Sequence, residues 1–535
     1  MTLMDEALEH RHLRAPRENG GTLIDPPPEG VGELLAHNIA TRETARDYDV
    51  QGRSLVRLAA EARQELVQAA WRYTSSYRDV PPLDRTATER ILLAGHQPQL
   101  FHPGVWFKNF ALARLAREHR GTAVNLVIDS DTIKTASLRV PSGSPDAPLV
   151  ESLPLDRQTA EIPYEERAIV DRATLEAFGS RSATAIAKLV SNPLVKEFWP
   201  LVIERSRACN NLGECLAQAR HQQEGRWGAT TLEIPQSRVC SLPAFHWFAC
   251  HLLARLPRFW EEYNRAVAEF RHANHVRSTA HPVPDLTIED GWLEAPLWIW
   301  DRANPRRRRL FVRQRGEEIV LSDRGQLELP LSLSPEGEAG TAAAQLAELA
   351  ARGIRIRTRA LVTTMFARLF LGDVFLHGIG GAKYDQVTDT FIERFFGIKP
   401  PGYMTATATL RLPVEREEVG PEDLRRVDWE LRELAYHPER HLDGVKNGAV
   451  DEIVKRKWRW IENSPAEATA KQRCHEIIAC NQRLQPFVSD QWQELLGERE
   501  RIATLLRAHA ILASREYAFC LYPPEPLRRL MGISS

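Results

Sequence analysis

The chain has 535 residues, 43% apolar and 26% charged, with 70 basic against 71 acidic side chains and a formal net charge of −1. That length predicts two to four structural units. The composition excludes a chain that is disordered, collagen-like or membrane-embedded throughout, and the lack of a basic surplus argues against nucleic acid or an anionic membrane as the main partner.

No apolar run approaches the roughly 20 residues needed to cross a bilayer, and the charged N-terminus (MTLMDEALEHRHLRAPRENGG) lacks the apolar centre of a secretory signal. Seven cysteines without a C-x-x-C pair predict reduced thiols and a cytoplasmic location. Only 10 of the 70 basic residues are lysines. A lysine in such a chain is a candidate for a role that needs a compact ammonium.

Taken in chain order, residues 1–30, with Pro26-Pro27-Pro28, predict a disordered lead-in. Leu55, Leu58, Ala59, Ala62, Leu66 and Ala70 give helical spacing within residues 31–79. The run Arg90–Ala94 predicts a buried strand that ends in Gly95-His96-Gln97-Pro98. A helix follows over Val105–His119, then a second strand over Ala123–Ile128 that ends in Asp129-Ser130-Asp131. Strand, helix and strand in this span make a βαβ unit, whose ligands bind beyond the carboxyl ends of the strands.

Residues 160–275 are expected to be helical, with breaks at Trp227-Gly228 and Pro235, and residues 276–340 to be loop-rich with short strands at Leu310–Val312 and Glu318–Leu321. Asp373–His377 predicts a third buried strand that enters Gly378-Ile379-Gly380-Gly381, with a helix from Lys383 to Phe396. If this strand joins the first sheet, the region of about 160–340 is an insertion into a single α/β core spanning 31–420.

From 421 to 516, Ile477, Leu484, Val488, Trp492, Leu495, Ile502, Leu505, His509 and Leu512 follow near-heptad spacing. They predict a long helix paired antiparallel with Glu422–Ile461, a coiled-coil arm. Residues 517–535 would return to the core.

The polar clusters at the strand ends are the candidate sites. In the first, His96, Gln97, Gln99 and His102 precede a helix start, where backbone N–H groups favour an anion and an imidazole can move a proton; the alternative is a loop in which His and Gln satisfy buried carbonyls. Asp129 and Asp131, two apart in an extended segment, would face one side and suit an amine or a metal, or else cap a turn. His377, Gly378, Gly380, Gly381, Lys383 and Tyr384 combine a glycine loop with a helix start and a lysine in its first turn. That is a carboxylate or phosphate cradle, though neither a P-loop nor a full G-x-G-x-x-G.

The group of His272, His275, His281, Asp285 and Glu294 matches no zinc spacing, and no metal is predicted. A substrate loop rich in tryptophan (Trp292, Trp298, Trp300) and ordinary packing are the alternatives there. The run Arg306–Arg309 and the segment Lys455–Trp460 read as solvated faces as readily as phosphate contacts.

These pieces together resemble a known family. GHQPQLF followed by a glycine turn and a helix bearing Lys108 resembles the GQQ-x-GLF opening of the bacillithiol-biosynthesis cysteine-adding enzymes, and LVIDSDT resembles their strand that ends in an acidic cluster. HGIGGAKYDQV resembles their GPGE-x-x-Y segment, with Arg359 matching an upstream arginine. His96 replaces the first glutamine of the family pattern, Gly381 stands where the family has glutamate, the acidic cluster lacks the family histidine, and Lys383 is an addition.

The resemblance implies a Rossmann-like core related to the HIGH-motif nucleotidyltransferases, with a coiled-coil arm. It implies a ligase or transferase of low-molecular-weight thiol metabolism, which joins an amino acid amine or thiol compound to a small anionic, sugar-linked substrate. Gly95, Gln97, Gly380 and Tyr384 are the positions that match. In this reading His96 or His102 is the general acid or base, Asp129 or Asp131 orients the amine, and Gly95, Gln97, Gln99, Lys108, Arg359, His377, Gly378, Gly380, Gly381, Lys383 and Tyr384 hold the anion. A second reading is a non-catalytic scaffold that dimerises or binds a partner through the arm. A third is an ATP-using nucleotidyltransferase, with a nucleotide (ADP or ATP) as cofactor, although no KMSKS-like loop is found.

Overall fold

The computed structural model describes residues 13–316, 318–442, 447–463 and 465–533. The chain divides into two units: Met1–Val140 with Ser152–Arg411 and Arg515–Ser535, and Pro141–Glu151 with Leu412–Ser514.

The first unit is built on a six-stranded sheet of β1 (Thr22–Asp25), β2 (Ile91–His96), β3 (Thr122–Val127), β4 (Leu232–Pro235), β5 (Val374–His377) and β6 (Met404–Ala408). Its spatial order is β1-β6-β5-β2-β3-β4. The β2, β3, β4, β5 and β6 strands are parallel, and β1 pairs antiparallel on the β6 edge. Numbered along the chain, the parallel strands lie in the order 3-2-1-4-5, which is the order of doubly wound α/β sheets.

The central strands are buried on both faces, as in a sheet covered on both sides: Ile91–Ala94, Val374–His377 and Met404–Ala408 are buried throughout. β2 and β5 lie side by side although 282 residues separate Ile91 from Asp373, and Asp373 ties their amino ends together. Its carboxylate accepts from the Ile91 N–H (2.8 Å) and from buried Arg63 (2.6 and 3.1 Å), and it pairs with Arg42 (2.9 Å).

Several expectations need correction. Residues 22–25 of the supposed lead-in are an edge strand whose ladder bonds go to Thr405–Ala408; residues 1–12 lie outside the described residues. The 31–79 stretch is two helices, Val31–Thr44 and Leu55–Ser75. The middle region is not a simple insertion, because β4 within it is a strand of the central sheet. Residues 288–358 form an antiparallel sheet of Glu328–Leu331, Glu318–Ser322, Asn304–Arg315, Trp292–Asp301 and Ile354–Thr358, so the tryptophan-rich loop is a strand and its indoles are largely core. The Arg306–Arg309 run lies on the longest of these strands, Asn304–Arg315, where Arg307, Arg308 and Arg309 pair with Asp131, Asp323 and Glu294.

The second unit contains the helices Pro421–Tyr436, Gly448–Glu462, Ala470–Leu484 and Ser489–Leu512. The long helix expected from the heptad spacing is broken at Gln485–Val488, where Pro486 removes a backbone donor. The first and last helices pack on each other through Val427, Leu431 and Ile502, and the middle two through Val450, Ile453, Cys480 and Leu484. Arg499 meets Asp428 (2.6 Å) while Gln485 donates to the Leu434 carbonyl (2.9 Å), and Arg456 meets Glu476 (2.6 Å) while Arg473 donates to the Ile461 carbonyl (2.5 Å), so each pair runs antiparallel. Lys457, expected on a solvated face, is buried against Glu439 (2.5 Å) and the Tyr436 carbonyl (2.7 Å). From Arg515 the chain belongs to the first unit again.

Candidate functional site

The sheet order reverses between β2 and β5, so the loops at their carboxyl ends part there and leave a crevice. A cavity of about 390 Å³ opens at this point, within the size range of small-molecule sites. Three helices reach it: α1 (Pro103–Glu118) after β2, α2 (Ala360–Phe366), and α3 (Ile379–Phe391) after β5. Pro103 and the His102 ring, which accepts from the Gly104 N–H (3.1 Å), start α1. Gly104 is required: a Cβ there would run into the Ala408 carbonyl at the end of β6. α3 starts at Gly378 and passes through a π-helical turn (Ile392–Phe396) to Gly397, whose φ of 66° ends it.

Of the expected site residues, Gly95, His96, Gln97, His102, Lys108, His377, Gly378, Gly380 and Gly381 line this cavity, joined by Thr363, Thr364, Thr407 and Arg515. No described lining residue is an aspartate or glutamate. The N-terminal turns of α1 and α3 add their partial positive charge. Lys108, almost fully buried, donates to the Gly95 carbonyl (2.6 Å). Burial, with the nearby Arg220 guanidinium adding to it, lowers its pKa to about 7. Arg515 reaches the hydroxyls of Thr409 (3.1 Å) and Thr407 (3.3 Å).

The three cavity imidazoles differ. Enclosure and the Lys108 ammonium push His96 down to about 3, so at neutral pH it is an uncharged ring, edge-on to Phe101 at 4.8 Å. Burial also lowers His102, against the pull of Glu516, whose carboxylate stands 3.9 Å from its Nε2. His377 is buried, with Nε2 3.0 Å from Asp385.

The other expected residues lie elsewhere. Gln99 is exposed. Lys383 falls in the second turn of α3, because that helix starts four residues earlier than expected, and it is exposed. Tyr384 packs against the core. Arg359 is buried on Glu294 (2.6 Å) over the Trp298 ring (4.3 Å).

Asp129 and Asp131 do not share a side. Asp131 accepts from Gln97 (3.1 Å) and pairs with Arg307 (3.1 Å). Asp129 accepts from the Ser237 N–H (2.9 Å) and hydroxyl (2.5 Å) in a separate, smaller pocket with Glu165, Glu214 and Arg238. Burial, with Glu165 beside it, pushes its pKa up to about 7.

Asp285 pairs with Arg271 and Glu294 with Arg359, so these carboxylates of the loose histidine group are engaged. Among the described residues no group of three or more His, Cys, Asp or Glu side chains could hold a metal ion, and no helix is long and apolar enough to cross a membrane.

Sequence reading missed Arg515, Thr363, Thr364 and Thr407, which come from elements with no motif of their own. Only the strand-end position of Thr407 would have signalled it. No family model matches this chain, and no curated protein is significantly similar to it.

Proposed function

We propose that this chain is an enzyme that binds a small anionic substrate in the cavity between β2 and β5 and joins an amine or thiol compound to it, in the manner of the bacillithiol-biosynthesis enzymes it resembles. On this reading the sheet is their Rossmann-like, HIGH-nucleotidyltransferase-related core, and the helix pairs of the second unit are their coiled-coil arm. The observation that carries the reading is the charge of the cavity: two helix N-terminal turns and Lys108 face a space with no lining carboxylate, and Arg515, which also lines it, is already met by Glu516 (3.3 Å). A buried ammonium with no counter-ion is costly, and a ligand anion supplies the missing charge.

The test is titration calorimetry and thermal melting of the full chain with pyrophosphate, ATP and a sugar–malate conjugate, each with and without cysteine. At least one anion should bind and raise the melting temperature, and Lys108→Met should weaken it about tenfold or more. A folded chain that binds none of these anions would refute the reading. Binding of ATP alone among them would favour the nucleotidyltransferase alternative.

The scaffold reading has one observation in its favour. The second unit exposes Trp429, seven residues from exposed Tyr436 on the same helix, together with Trp458 and Ile478. A second copy of the chain would cover such a face, and sedimentation of the wild type against Trp429→Glu tests for that dimer.

A further inference from the structure

β5 carries His377 to the cavity, and the support behind this imidazole is more elaborate than that behind His96 or His102. Its Nε2 lies 3.0 Å from Asp385 Oδ2, on α3. Asp385 is itself held by the Thr364 hydroxyl (2.5 Å) and by Arg368 Nη1 (2.6 Å), and Arg368 is tied to Asp389 and the Pro401 carbonyl. All of Asp385, Arg368 and His377 are buried. Burial alone would raise the Asp385 pKa, but the Arg368 guanidinium and the His377 ring hold it well below the usual carboxylate range.

An ionised carboxylate can only accept, so the Nε2 facing it carries the hydrogen and Nδ1 keeps its lone pair. Nδ1 faces Gly381, where a Cβ would stand 2.8 Å away; with no side chain there, the nitrogen stays uncovered at the start of α3. His377, Gly381 and Thr364 all line the cavity. The other two rings are committed differently: His102 Nδ1 caps α1, and His96 Nδ1 sits 3.3 Å from the Gln97 carbonyl.

We propose that His377 is the proton acceptor of this site and Asp385 its positioning residue, with Nδ1 taking the proton of an amine, hydroxyl or thiol co-substrate. The inference rests on the reading of the cavity as the anion site of an enzyme. In the step, the Nδ1 lone pair forms the new N–H bond and the bonding pair stays on the nucleophile's heteroatom, freeing it to attack the bound anion. Burial opposes the imidazolium most; Asp385 favours it, and the Arg368 and Lys108 cations oppose it. The free ring is therefore neutral at pH 7, with its lone pair available to accept a proton.

The test uses the full chain labelled with [15N]histidine at pH 7, with His377 assigned by the signals lost in His377→Gln. The expected result is a neutral ring with the hydrogen on Nε2. In Asp385→Ala, which leaves no acceptor and only the Arg368 donors near Nε2, the hydrogen moves to Nδ1. Diethyl pyrocarbonate, which acylates an imidazole lone pair, should modify His377 about tenfold or more faster in the wild type than in Asp385→Ala.

A His377 that is cationic at pH 7, a hydrogen on Nδ1 in the wild type, or a tautomer and reactivity unmoved by Asp385→Ala would each overturn the proposal. The wild-type tautomer decides the matter even if Asp385→Ala fails to fold. Pyrophosphate is the probe of the underlying reading and should protect His377 from acylation. If it does not bind the wild type, the anion site falls, while the tautomer still decides the pairing of His377 with Asp385.

Discussion

Lys108 makes the charge of the cavity measurable. Its ammonium is enclosed and hydrogen-bonded to a carbonyl, and its pKa is lowered to about 7. An anion about 4 Å away would restore about 4 kcal/mol at an effective dielectric of about 20, or about 3 pKa units. Lys108 is half protonated at pH 7 in the free protein and fully protonated in the complex, so binding should take up about 0.5 proton at pH 7, ~0.9 at pH 8 and ~0.1 at pH 6. Calorimetry with sulfate, which does not titrate in this range, in buffers of different ionisation enthalpy reads this uptake directly. Lys108→Met should abolish it. His96 as the responding group, raised by the same ~3 units from about 3 to about 6, would give the reverse trend, with uptake falling as pH rises. Uptake that is flat from pH 6 to 8, or unchanged in Lys108→Met, would refute the assignment of the cavity's charge to this residue.

Three further outcomes follow from the geometry. Gly104→Ala forces a methyl group onto the Ala408 carbonyl and should cost about 2 kcal/mol or more, read as a lower midpoint in urea, while Gly378→Ala, with open space around it, should cost much less. Asp373→Ala leaves Arg63 buried without its partner and should cost about 3–5 kcal/mol in the same assay. Asp129 has a folded-state pKa raised from 3.8 to about 7, so its contribution to stability is fully present below about pH 4 and is lost as pH rises to about 7, a total of about 4 kcal/mol. Asp129→Asn should therefore gain on the wild type up to pH 7, less about 1 kcal/mol for a Ser237 hydrogen bond; a difference that does not vary with pH contradicts this.

The sequence announced those parts of the fold in which a single segment carries its own signal. β2, β3 and β5 are short apolar runs closed by glycine or aspartate, and each was readable as a buried strand. β4 is four residues between helices, and β6 is Met-Thr-Ala-Thr-Ala, too weakly apolar to stand out although all five residues are buried. Both owe their strand state to the ladder of a neighbour, which no local pattern reports. At Pro486 the local signal was present, and a backbone donor missing at one position overrode an otherwise continuous apolar stripe.

The site divides in the same way. The glycine and histidine loops could be placed by the rule that ligands lie beyond strand ends. The partners that decide what each side chain does, such as Asp385 for His377, Ser237 for Asp129 and Arg220 for Lys108, are matters of through-space geometry.

The cavity draws its walls from Gly95 to Arg515, and the residues from Leu412 to Ser514 between the last strand and that arginine build the other unit. A chain emerging from the ribosome therefore has all six strands exposed and able to pair well before its second cation arrives. Anything that binds in the cavity can steady the fold in full only once the chain has been made as far as Arg515.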